Sequence, residues 1–432
     1  MNPLRSGVHA LLAVATVLAL SAAALVAWRP RTAEEPPTMD VRTIPAPLRN
    51  SGSRSLSNDR ISLQGREIRV CVTSGPVEAV RIKTSRGAQW RDLDVGRTLN
   101  AVQEAQDALW TRARDGLACN DRNLAIRRLE VVPQSSPGVW VDGRLYRGRV
   151  RLVAQSDGKL IAINVVALED YVASVVDGEM PSAFPIEARR AQAVVARTYG
   201  LARQSVAAPD AEFDVYGSER SQKYLGVEYS DRTGRRLAGE SEASRRVAAE
   251  TAGRVLTYEG RIFTSYYSAV CGGCTTSGSE LFPDAAPCHR AVPCEFCLDA
   301  ERYRWRAQFT SKEFREAINS LDRGQLGSIR RVRMLTPPGC GKLARLEIRD
   351  DRRAVEVSGW DLRQVAPAGR LFSPHVTVQL LDESVVVEGR GHGHGVGFCQ
   401  WGARGQALAG RNWQQILQHY YPGATIQSVT HH

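Results

Sequence analysis

Several features are scarce or missing in this sequence. It has no internal repeat and no nucleic-acid-binding motif, and lysine is rare beside arginine. The net charge of +11 is spread along the chain rather than clustered. A basic surface favours polyanionic partners such as nucleic acid, anionic lipid or the bacterial cell wall, although GC-rich coding also enriches arginine. Without a motif or a basic cluster, we expect no nucleic-acid partner.

The composition also excludes extensive disorder. Hydrophobic residues make up 43% and charged residues 24% of the 432 residues, which are ordinary values for a globular protein. This length is enough for two or three packed units with a sizeable core.

The N-terminus carries a long apolar run. Val8–Trp28 contains few polar residues and, at roughly 20 residues, is long enough to cross a bilayer as a helix. The small residues of Ser21–Ala24 suit signal cleavage, whereas Arg29 and Arg31 after the run suit an uncleaved anchor. We therefore expect residues 1–28 to be a signal peptide or a membrane anchor. Either one would place the remainder in the periplasm or another extracytoplasmic compartment.

Composition and periodicity divide the remainder of the chain. Residues 29–60 are rich in Pro, Ser and Arg and lack apolar periodicity, which is typical of a disordered tether. A folded domain is expected over residues 61–427. It has a β-rich part (61–166), a helical part (167–260) and a Cys-rich and C-terminal β/α part (261–427).

Alternating apolar residues predict short strands in the β-rich part. The predicted strands are Ile68–Val72, Val80–Ile82, Val139–Val141, Leu145–Tyr146, Val150–Val153 and Leu160–Val166. Leu99–Leu109, between them, is predicted to be helical. Together with the helices that follow, these strands indicate an α+β fold in which antiparallel, barrel-like β units surround a central helical segment.

Three further helices are predicted. The apolar residues of 168–176 lie on one helical face. Pro185 fits the first turn of a second helix, which ends near Arg203. Asn412 caps the last helix. The apolar stripe of that helix consists of Trp413, Ile416, Leu417 and Tyr420.

Glu179 lies between two helix breakers, Gly178 and Pro181. If the helical register persists, Glu179 continues the apolar face of the first of these helices. A carboxyl group in partly apolar surroundings has a raised pKa and can act as a general acid near neutral pH. Taken alone, however, a glutamate at a helix end is usually a solvated side chain.

Two long blocks of the sequence resemble one known family. Residues 168–181 (LEDYVASVVDGEMP) and 184–199 (FPIEARRAQAVVARTY) form the first block, and residues 389–397 (GRGHGHGVG), 400–403 (QWGA) and 419–423 (HYYPG) form the second. Matching residues between the blocks are Phe213, Asp214, Gln222, Tyr224 and Gly226. These residues are similar to the signature of the stage II sporulation protein D (SpoIID) family, which includes LytB-type amidase enhancers. The resemblance covers roughly residues 65 to 427.

The resemblance implies a lytic transglycosylase that cleaves peptidoglycan glycan, particularly strands stripped of their peptides. The family's catalytic glutamate precedes Met-Pro, which maps it onto Glu179. Ordinary glycosidases need a second carboxylate. In lytic cleavage one carboxyl protonates the bridging oxygen and then helps the sugar's own C6 hydroxyl to attack C1, which leaves a 1,6-anhydro-muramic acid end. Asp170, Asp177 and Glu187 are therefore assigned structural roles.

A second function is compatible with the same resemblance. The chain would then be a non-catalytic cell-wall-binding protein that enhances an N-acetylmuramoyl-L-alanine amidase. The Glu-Met-Pro context of Glu179 favours catalysis over this alternative. Peptidoglycan glycan strands are the expected partner in either case, with a cell-wall amidase as a possible second partner and the membrane as a third if the N-terminal segment is uncleaved.

Eight residues inside the resemblance are candidates for substrate binding. They are Gln192, Arg197, Tyr199, Gln222, Tyr224, His394, Gln400 and Trp401. Arg197 would bind a saccharide carboxyl or hold the catalytic carboxyl, unless it forms a helix-packing ion pair. Gln192 would join a polar groove, unless it is exposed to solvent. His394 has either a functional role or a structural one in its glycine-rich loop, and Trp401 could stack on a sugar face.

Nine cysteines are many for an exported chain of this kind. Cys271-x2-Cys274 and Cys294-x2-Cys297 have the spacing of a four-thiolate zinc site, whereas an oxidising compartment favours disulfides. Both interpretations remain open, and no cofactor is required for the chemistry. Some family members bind zinc around residues 214–222, but here residues 215–220 contain no Cys or His. Cys399, where the family usually has serine, is expected to be a buried small residue.

Overall fold

The structure, a computed structural model, covers most of the folded part expected from the sequence. It describes residues 65–102, 105–134, 138–231 and 233–429. The expected signal peptide or anchor (1–28) and the tether (29–60) lie outside these ranges. Across the described ranges, no helix combines the length and the apolar composition that crossing a membrane requires.

All regular structure described before residue 168 is β-strand. The strands are β1 (Glu67–Cys71), β2 (Ala79–Thr84), β3 (Ala88–Asp92), β4 (Arg97–Val102), β5 (Gln106–Ala113), β6 (Gly116–Cys119), β7 (Arg122–Asn123), β8 (Arg128–Pro133), β9 (Val139–Val141), β10 (Arg144–Tyr146), β11 (Arg149–Ala154) and β12 (Leu160–Ala167). The six strands predicted from alternating apolar residues are all present, with small shifts at their ends.

Helices and short strands alternate in the remainder. The elements are α1 (Leu168–Glu179), α2 (Ile186–Val206), β13 (Val215–Tyr216), β14 (Glu228–Ser230), β15 (Arg236–Ala238), α3 (Glu242–Glu250), β16 (Arg254–Tyr258), β17 (Arg261–Ile262), β18 (Tyr267–Ser268), a 3-10 turn (Gly278–Glu280), β19 (Arg304–Thr310), α4 (Ser311–Asn319), β20 (Arg331–Thr336), β21 (Arg345–Arg349), β22 (Ala354–Ser358), α5 (Gly359–Val365), β23 (Val376–Leu380), β24 (Ser384–Arg390), β25 (Phe398–Cys399), α6 (Gln400–Leu408), α7 (Trp413–Tyr420) and β26 (Thr425–Ser428).

The strands of the β-rich part form two open sheets. One has seven strands in the order β13-β1-β12-β11-β8-β3-β4, and the other has eight in the order β15-β14-β10-β9-β2-β5-β6-β7. Apolar residues of both sheets, such as Ile82 and Leu129, enter one shared core. The predicted barrel-like closure is wrong for the described residues, because each sheet ends in two edge strands instead of pairing its first strand with its last.

The helix predicted for Leu99–Leu109 is also wrong for the described residues, since residues 99–102 belong to β4 and residues 106–109 belong to β5. In β5, Ala108 and Trp110 are buried while Leu109 between them is 40% exposed. Trp110 packs against Trp90 with ring centroids 5.2 Å apart. The alternating burial around a large aromatic side chain overrides the helix-forming composition of this segment.

The three remaining predicted helices are present as α1, α2 and α7. Helix α1 continues past residue 176 to Glu179, and α2 begins directly after Pro185. At the start of α7, Asn412 and Gln415 form a capping box. This box satisfies backbone donors that the first turn of a helix leaves unpaired.

Helix α2 is buried on almost every side and contributes to two cores. Ala193 and Ala196 pack in the core of the two large sheets. Ala188 and Val194 pack in a second core, which also contains Phe398 and the C-terminal helices. The buried residues of α2 include polar side chains such as Arg197 as well as apolar ones, so the helix lies in the protein interior. This position brings the N-terminal half of α2 beside the end of α1 and the start of α6.

A third core lies in residues 304–390. Strands β19, β24 and β23 form one three-stranded sheet, and β20, β21 and β22 form another. Phe309, Phe314 and Leu362 are part of the core that these strands share with α4 and α5. All described residues belong to a single compact unit.

Candidate active site

A close backbone approach brings a polar segment to the end of α1. A Cβ atom at Gly178 would lie 2.1 Å from the carbonyl oxygen of Lys223, so only glycine fits there. Because of this approach, the backbone N–H of Lys223 donates a hydrogen bond of 2.7 Å to Oε1 of Glu179. The end of α1 therefore presents a carboxyl group that a neighbouring main chain holds in place.

Two side chains also donate to the Glu179 carboxyl. Nε2 of Gln400, the first residue of α6, lies 3.5 Å from Oε2 of Glu179 and 3.3 Å from Oε1 of Gln192. The hydroxyl of Tyr267 in β18 donates to the same carboxyl. Nε2 of Gln222 donates in turn to the Tyr267 hydroxyl over 3.3 Å. The carboxyl thus lies within a network of neutral polar side chains.

Burial changes the acidity of this carboxyl. Removal from solvent raises the pKa of Glu179 above its usual 4.5, while hydrogen bonds from Lys223, Tyr267 and Gln400 oppose the increase without cancelling it. None of these three partners is a carboxylate. The site therefore contains an acid that stays protonated to a higher pH than an exposed glutamate and can donate a proton.

The neighbouring carboxylates have structural partners instead. Asp177 forms an ion pair with Arg189 and accepts a hydrogen bond of 2.5 Å from the backbone N–H of Ser241. Asp170 lies 3.9 Å from Arg147. Glu187 accepts from the backbone N–H of Trp413 over 2.9 Å, which ties α2 to α7, and it also forms an ion pair with Arg190. These contacts agree with the structural roles expected for the three carboxylates.

A match to a known family coincides with this geometry. The model of the stage II sporulation protein (SpoIID) family matches residues 156–258, which include α1, α2 and Glu179. We call this matched segment, residues 156–258, the SpoIID domain. A second model, described as a domain of unknown function (DUF8618), matches residues 297–397. The SpoIID domain therefore supplies the carboxyl, whereas Tyr267 and Gln400 reach it from outside the matched residues.

Relatives aligned over 59% to 72% of this chain agree with the SpoIID match at modest identity. An uncharacterized protein of Brachyspira hyodysenteriae is 28% identical and is aligned over 72% of this chain and 80% of its own length. Stage II sporulation protein D of Bacillus subtilis is 26% identical over 62% of this chain and 76% of its own length. The amidase enhancer of Bacillus subtilis is 24% identical over 59% of this chain, which spans 40% of that relative. The family resemblance inferred from the sequence is confirmed.

Three of the eight predicted substrate-binding residues lie in the network around the SpoIID-domain carboxyl. Gln192, Gln222 and Gln400 are all buried, so the solvent-exposed alternative for Gln192 does not apply. Within the described residues, Nε2 of Gln192 has no hydrogen-bond partner. Because an unpaired buried donor is costly, this amide is suited to bind a ligand oxygen.

Two other predicted residues lie in the protein interior. Arg197 forms a bidentate ion pair with Glu169 and also donates to the carbonyl oxygens of Ala248 and Arg254. This is the helix-packing ion pair, and the Arg197 side chain has no exposed surface with which to contact a substrate. The hydroxyl of Tyr224 donates to Asn164 over 2.7 Å inside the main core. Both side chains stabilise the SpoIID domain from within.

The remaining three predicted residues surround the network. The ring of Tyr199 packs edge-to-face on Tyr267, with centroids 6.5 Å apart. His394 accepts from the backbone N–H of Val396 over 3.0 Å and hydrogen-bonds to the Tyr267 backbone. Burial lowers the pKa of His394 to about 3, so the ring is neutral and supports Tyr267 rather than carrying charge.

Trp401 lies beside the site, because it follows Gln400 directly in the chain. It is only partly buried and packs edge-to-face on Phe184, with centroids 5.4 Å apart. Phe184 belongs to the short loop between α1 and α2, which also contains Met180 and Pro181. The guanidinium of Arg404 lies 5.1 Å from the Trp401 ring centroid. An aromatic face of this kind can stack on a sugar ring.

Sequence reasoning missed two partners of Glu179. Lys223 contributes its backbone N–H, which carries no side-chain signal, although it follows the matched residue Gln222. Tyr267 lies in a segment without a recognised motif, and the parallel pairing of β18 with β25 brings it near Gln400. Only the folded structure shows that Lys223 and Tyr267 contact Glu179.

The cysteines combine in a set that differs from the predicted one. Cys274 forms a disulfide with Cys340 and is therefore not a member of a four-cysteine cluster. Four other buried cysteines have sulfur atoms within 4.8 Å of one another, and we call them the thiol cluster: Cys271, Cys294, Cys297 and Cys399. Cys399 is buried, as expected, and it also completes this cluster.

Proposed function

We propose that this chain is a peptidoglycan lytic transglycosylase that acts on glycan strands from which the peptides have been removed. The observation that carries the proposal is the Glu179 carboxyl, whose pKa burial raises and which three neutral donors hold. An isolated acid of this kind suits a reaction in which one carboxyl both gives and takes a proton. The stage II sporulation protein D and amidase enhancer relatives support a substrate in the cell wall.

The proposed reaction has two proton transfers. Protonated Glu179 donates its proton to the bridging oxygen as the bond from that oxygen to C1 breaks. The carboxylate that remains is stabilised by the N–H of Lys223 and the hydroxyl of Tyr267. It then accepts the proton of the C6 hydroxyl as the C6 oxygen bonds to C1. The products are a 1,6-anhydro end and a free hydroxyl, and Glu179 is again protonated.

Two other contacts support saccharide binding at this place. The unpaired Nε2 of Gln192 can donate to a sugar hydroxyl or acetamido oxygen beside the carboxyl. The partly exposed Trp401 offers an apolar ring for a sugar face. Aromatic rings with a polar rim are common in pockets that orient a ligand.

The site is proposed to work outside the cytoplasm. The Cys274–Cys340 disulfide supports an oxidising compartment such as the periplasm. The apolar run at residues 8–28, which lies outside the described residues, supports export through a signal peptide or an anchor.

The deciding experiment is product analysis. The purified chain is incubated with glycan strands with and without stem peptides, and the fragments are identified by mass spectrometry. We expect fragments with 1,6-anhydro ends, which are lighter by one water than hydrolysed fragments. If the chain binds glycan and accelerates a purified N-acetylmuramoyl-L-alanine amidase but releases no anhydro fragments, the amidase-enhancer function named in one relative replaces this proposal.

The rate should fall as pH rises through the pKa of Glu179, because the protonated carboxyl acts first. Since burial raises that pKa above 4.5, the descending limb of kcat/KM should have its midpoint above pH 4.5. Tyr267→Phe removes a donor to the carboxylate, so it should raise the pKa further and move this limb upward by about one pH unit. The stability of the protein should depend on pH in the same direction as the rate. The contribution of Glu179 to the free energy of unfolding is fully present below pH 4.5 and is lost as pH rises through the pKa of Glu179 in the folded state.

Tyr266→Phe is the matched control for the pH profile. The Tyr266 hydroxyl donates to Asp284 over 2.6 Å and not to Glu179. The descending limb of kcat/KM in this variant should therefore keep its wild-type midpoint. A limb that stays in place in Tyr267→Phe, or that moves equally in both variants, would contradict the role of Tyr267.

Gly178→Ala should disturb the site through the backbone. The added Cβ would lie 2.1 Å from the carbonyl oxygen of Lys223, so α1 and the Lys223 segment must separate. We expect kcat to fall about 100-fold, since a displacement near 1 Å is enough for such a loss. Gly339→Ala is the control, because a Cβ there meets no atom within 4 Å. Equal kcat values for the two variants would show that the close approach is not needed.

A further inference from the structure

The thiol cluster gathers cysteines from three separate segments. Cys271 lies in the loop after β18, Cys294 and Cys297 belong to one Cys-x-x-Cys turn, and Cys399 ends β25. All four side chains are buried, and none of them forms a disulfide. The segments are up to 128 residues apart in the chain, as the contact between Cys271 and Cys399 shows. Such convergence of four thiols needs a physical cause.

The spacing of the sulfur atoms matches tetrahedral coordination. A zinc–sulfur distance of about 2.3 Å places any two sulfur ligands about 3.8 Å apart. The sulfur atoms of Cys271 and Cys297 are 3.7 Å apart, and all four lie within 4.8 Å of one another. A disulfide would instead require about 2.0 Å between two sulfur atoms. The cluster therefore has the dimensions of a closed four-thiolate site.

Backbone donors are directed at the sulfur atoms. The N–H groups of Cys271 and Gly402 each donate to Sγ of Cys399 over 3.3 Å. A backbone hydrogen bond from Gly273 reaches Cys297. Such donors stabilise thiolates, which accept hydrogen bonds more strongly than thiols do. Cys399 also caps the N-terminus of α6, where negative charge is favoured.

The thiol cluster lies in apolar surroundings, where an uncompensated charge is unfavourable. The cluster belongs to the second core, together with Phe398, Ala403 and Tyr420. Four thiolates in such a core require a cation, because burying unpaired charge is very costly. Gly402 gives the cluster its room, since a Cβ there would lie 2.6 Å from the Cys294 sulfur.

We propose that the thiol cluster binds one zinc ion as a closed structural site. Binding converts four thiols to thiolates and releases their protons to solvent, without any oxidation or reduction. Four protein ligands complete the tetrahedron, so the ion has no open position for a substrate and takes no part in cleavage. This assignment does not depend on the proposed transglycosylase activity.

The zinc ion would join β18, which carries Tyr267, to β25, which directly precedes Gln400. Ser268 pairs with Cys399 and Tyr267 pairs with Phe398 in the parallel β18–β25 contact. Gln400 follows Cys399 directly. Zinc bound between the loop after β18 and the end of β25 therefore fixes Tyr267 and Gln400 relative to each other. The site positions the donors without contacting the carboxyl.

The first test is the composition of the wild-type chain. The full chain without an affinity tag is purified without chelators, and its metals are measured by inductively coupled plasma mass spectrometry. We expect one zinc per chain. Alkylation of the denatured, unreduced chain with a chelator present should modify seven cysteines, those outside the Cys274–Cys340 disulfide. A chain without zinc whose cluster cysteines resist alkylation contains disulfides there, and this result would overturn the proposal, as would iron in place of zinc.

The second test uses a matched pair of variants. Cys399→Ser removes one ligand and should lower zinc occupancy at least tenfold in a limiting-zinc competition with a chromophoric chelator. Cys288→Ser replaces a buried free cysteine outside the cluster and should keep one zinc per chain. Equal zinc content in both variants would overturn the assignment. If Cys399→Ser does not fold, cobalt(II) exchanged into the wild-type chain decides the question, since four thiolates give a tetrahedral cobalt spectrum with sulfur charge-transfer bands and disulfides give none.

Discussion

Glu179→Gln should lower the rate of anhydro-end formation by about 1,000-fold, because an amide can neither donate nor accept the proton that the reaction moves. Glycan binding should persist, since the isosteric side chain keeps the oxygen that accepts from the Lys223 N–H and loses only the oxygen that accepts from Gln400. Unfolding should occur at the same or a higher temperature than in the wild type, because a buried group with a raised pKa is replaced by a neutral one. Mass spectrometry of the products, cosedimentation with insoluble glycan and thermal unfolding measure the three outcomes.

Asp170→Asn is the control on the same helix. Asp170 is 45% exposed and lies 3.9 Å from Arg147, so its loss should leave the rate within about twofold of the wild type. An active Glu179→Gln variant, or an Asp170→Asn variant that is equally impaired, would remove Glu179 from the proposed mechanism.

Arg197→Met should lower the free energy of unfolding by about 3 kcal/mol, because removing one partner of a buried ion pair leaves the other groups unpaired. The groups left behind are the Glu169 carboxylate and the carbonyl oxygens of Ala248 and Arg254. The cost should lie at the lower end of the range for buried pairs, since Glu169 is 37% exposed. Urea unfolding measures this loss, and KM at a temperature where the variant is folded should stay within about twofold.

Arg190→Met tests whether burial causes this effect. Arg190 lies on the same helix and pairs with Glu187 and Glu250, but its side chain is 24% exposed. Its replacement should cost less than about 1 kcal/mol. If Arg197→Met instead raises KM strongly and leaves stability unchanged, Arg197 is a substrate ligand after all.

The sequence contained enough information for the local structure and for part of the site. Alternation and capping residues identified six strands and the helices α1, α2 and α7 because these elements follow local rules. Barrel closure could not be predicted, since it depends on which edge strands pair. The segment around Trp110 was misassigned because its burial against Trp90 arises only in the folded sheet.

The candidate site was also only partly predictable from the sequence. Family resemblance identified Glu179, Gln192, Gln222 and Gln400, and these four residues lie in one network. Resemblance could not separate residues that face the site from residues that support it, so both alternatives stayed open for Arg197. The zinc spacing pointed to Cys274, but the fold pairs it with Cys340 and supplies Cys399 from 125 positions further along the chain.

The burial of α2 in two cores has a consequence for how this protein unfolds. A helix whose opposite faces belong to different cores cannot leave one of them while remaining packed in the other. We therefore expect the sheets of the N-terminal part and the helices of the C-terminal part to unfold in one cooperative step. Amide hydrogens of α2 should exchange only when the whole unit opens. The Glu179 carboxyl at the end of α1 should therefore lose its position only when the whole unit unfolds.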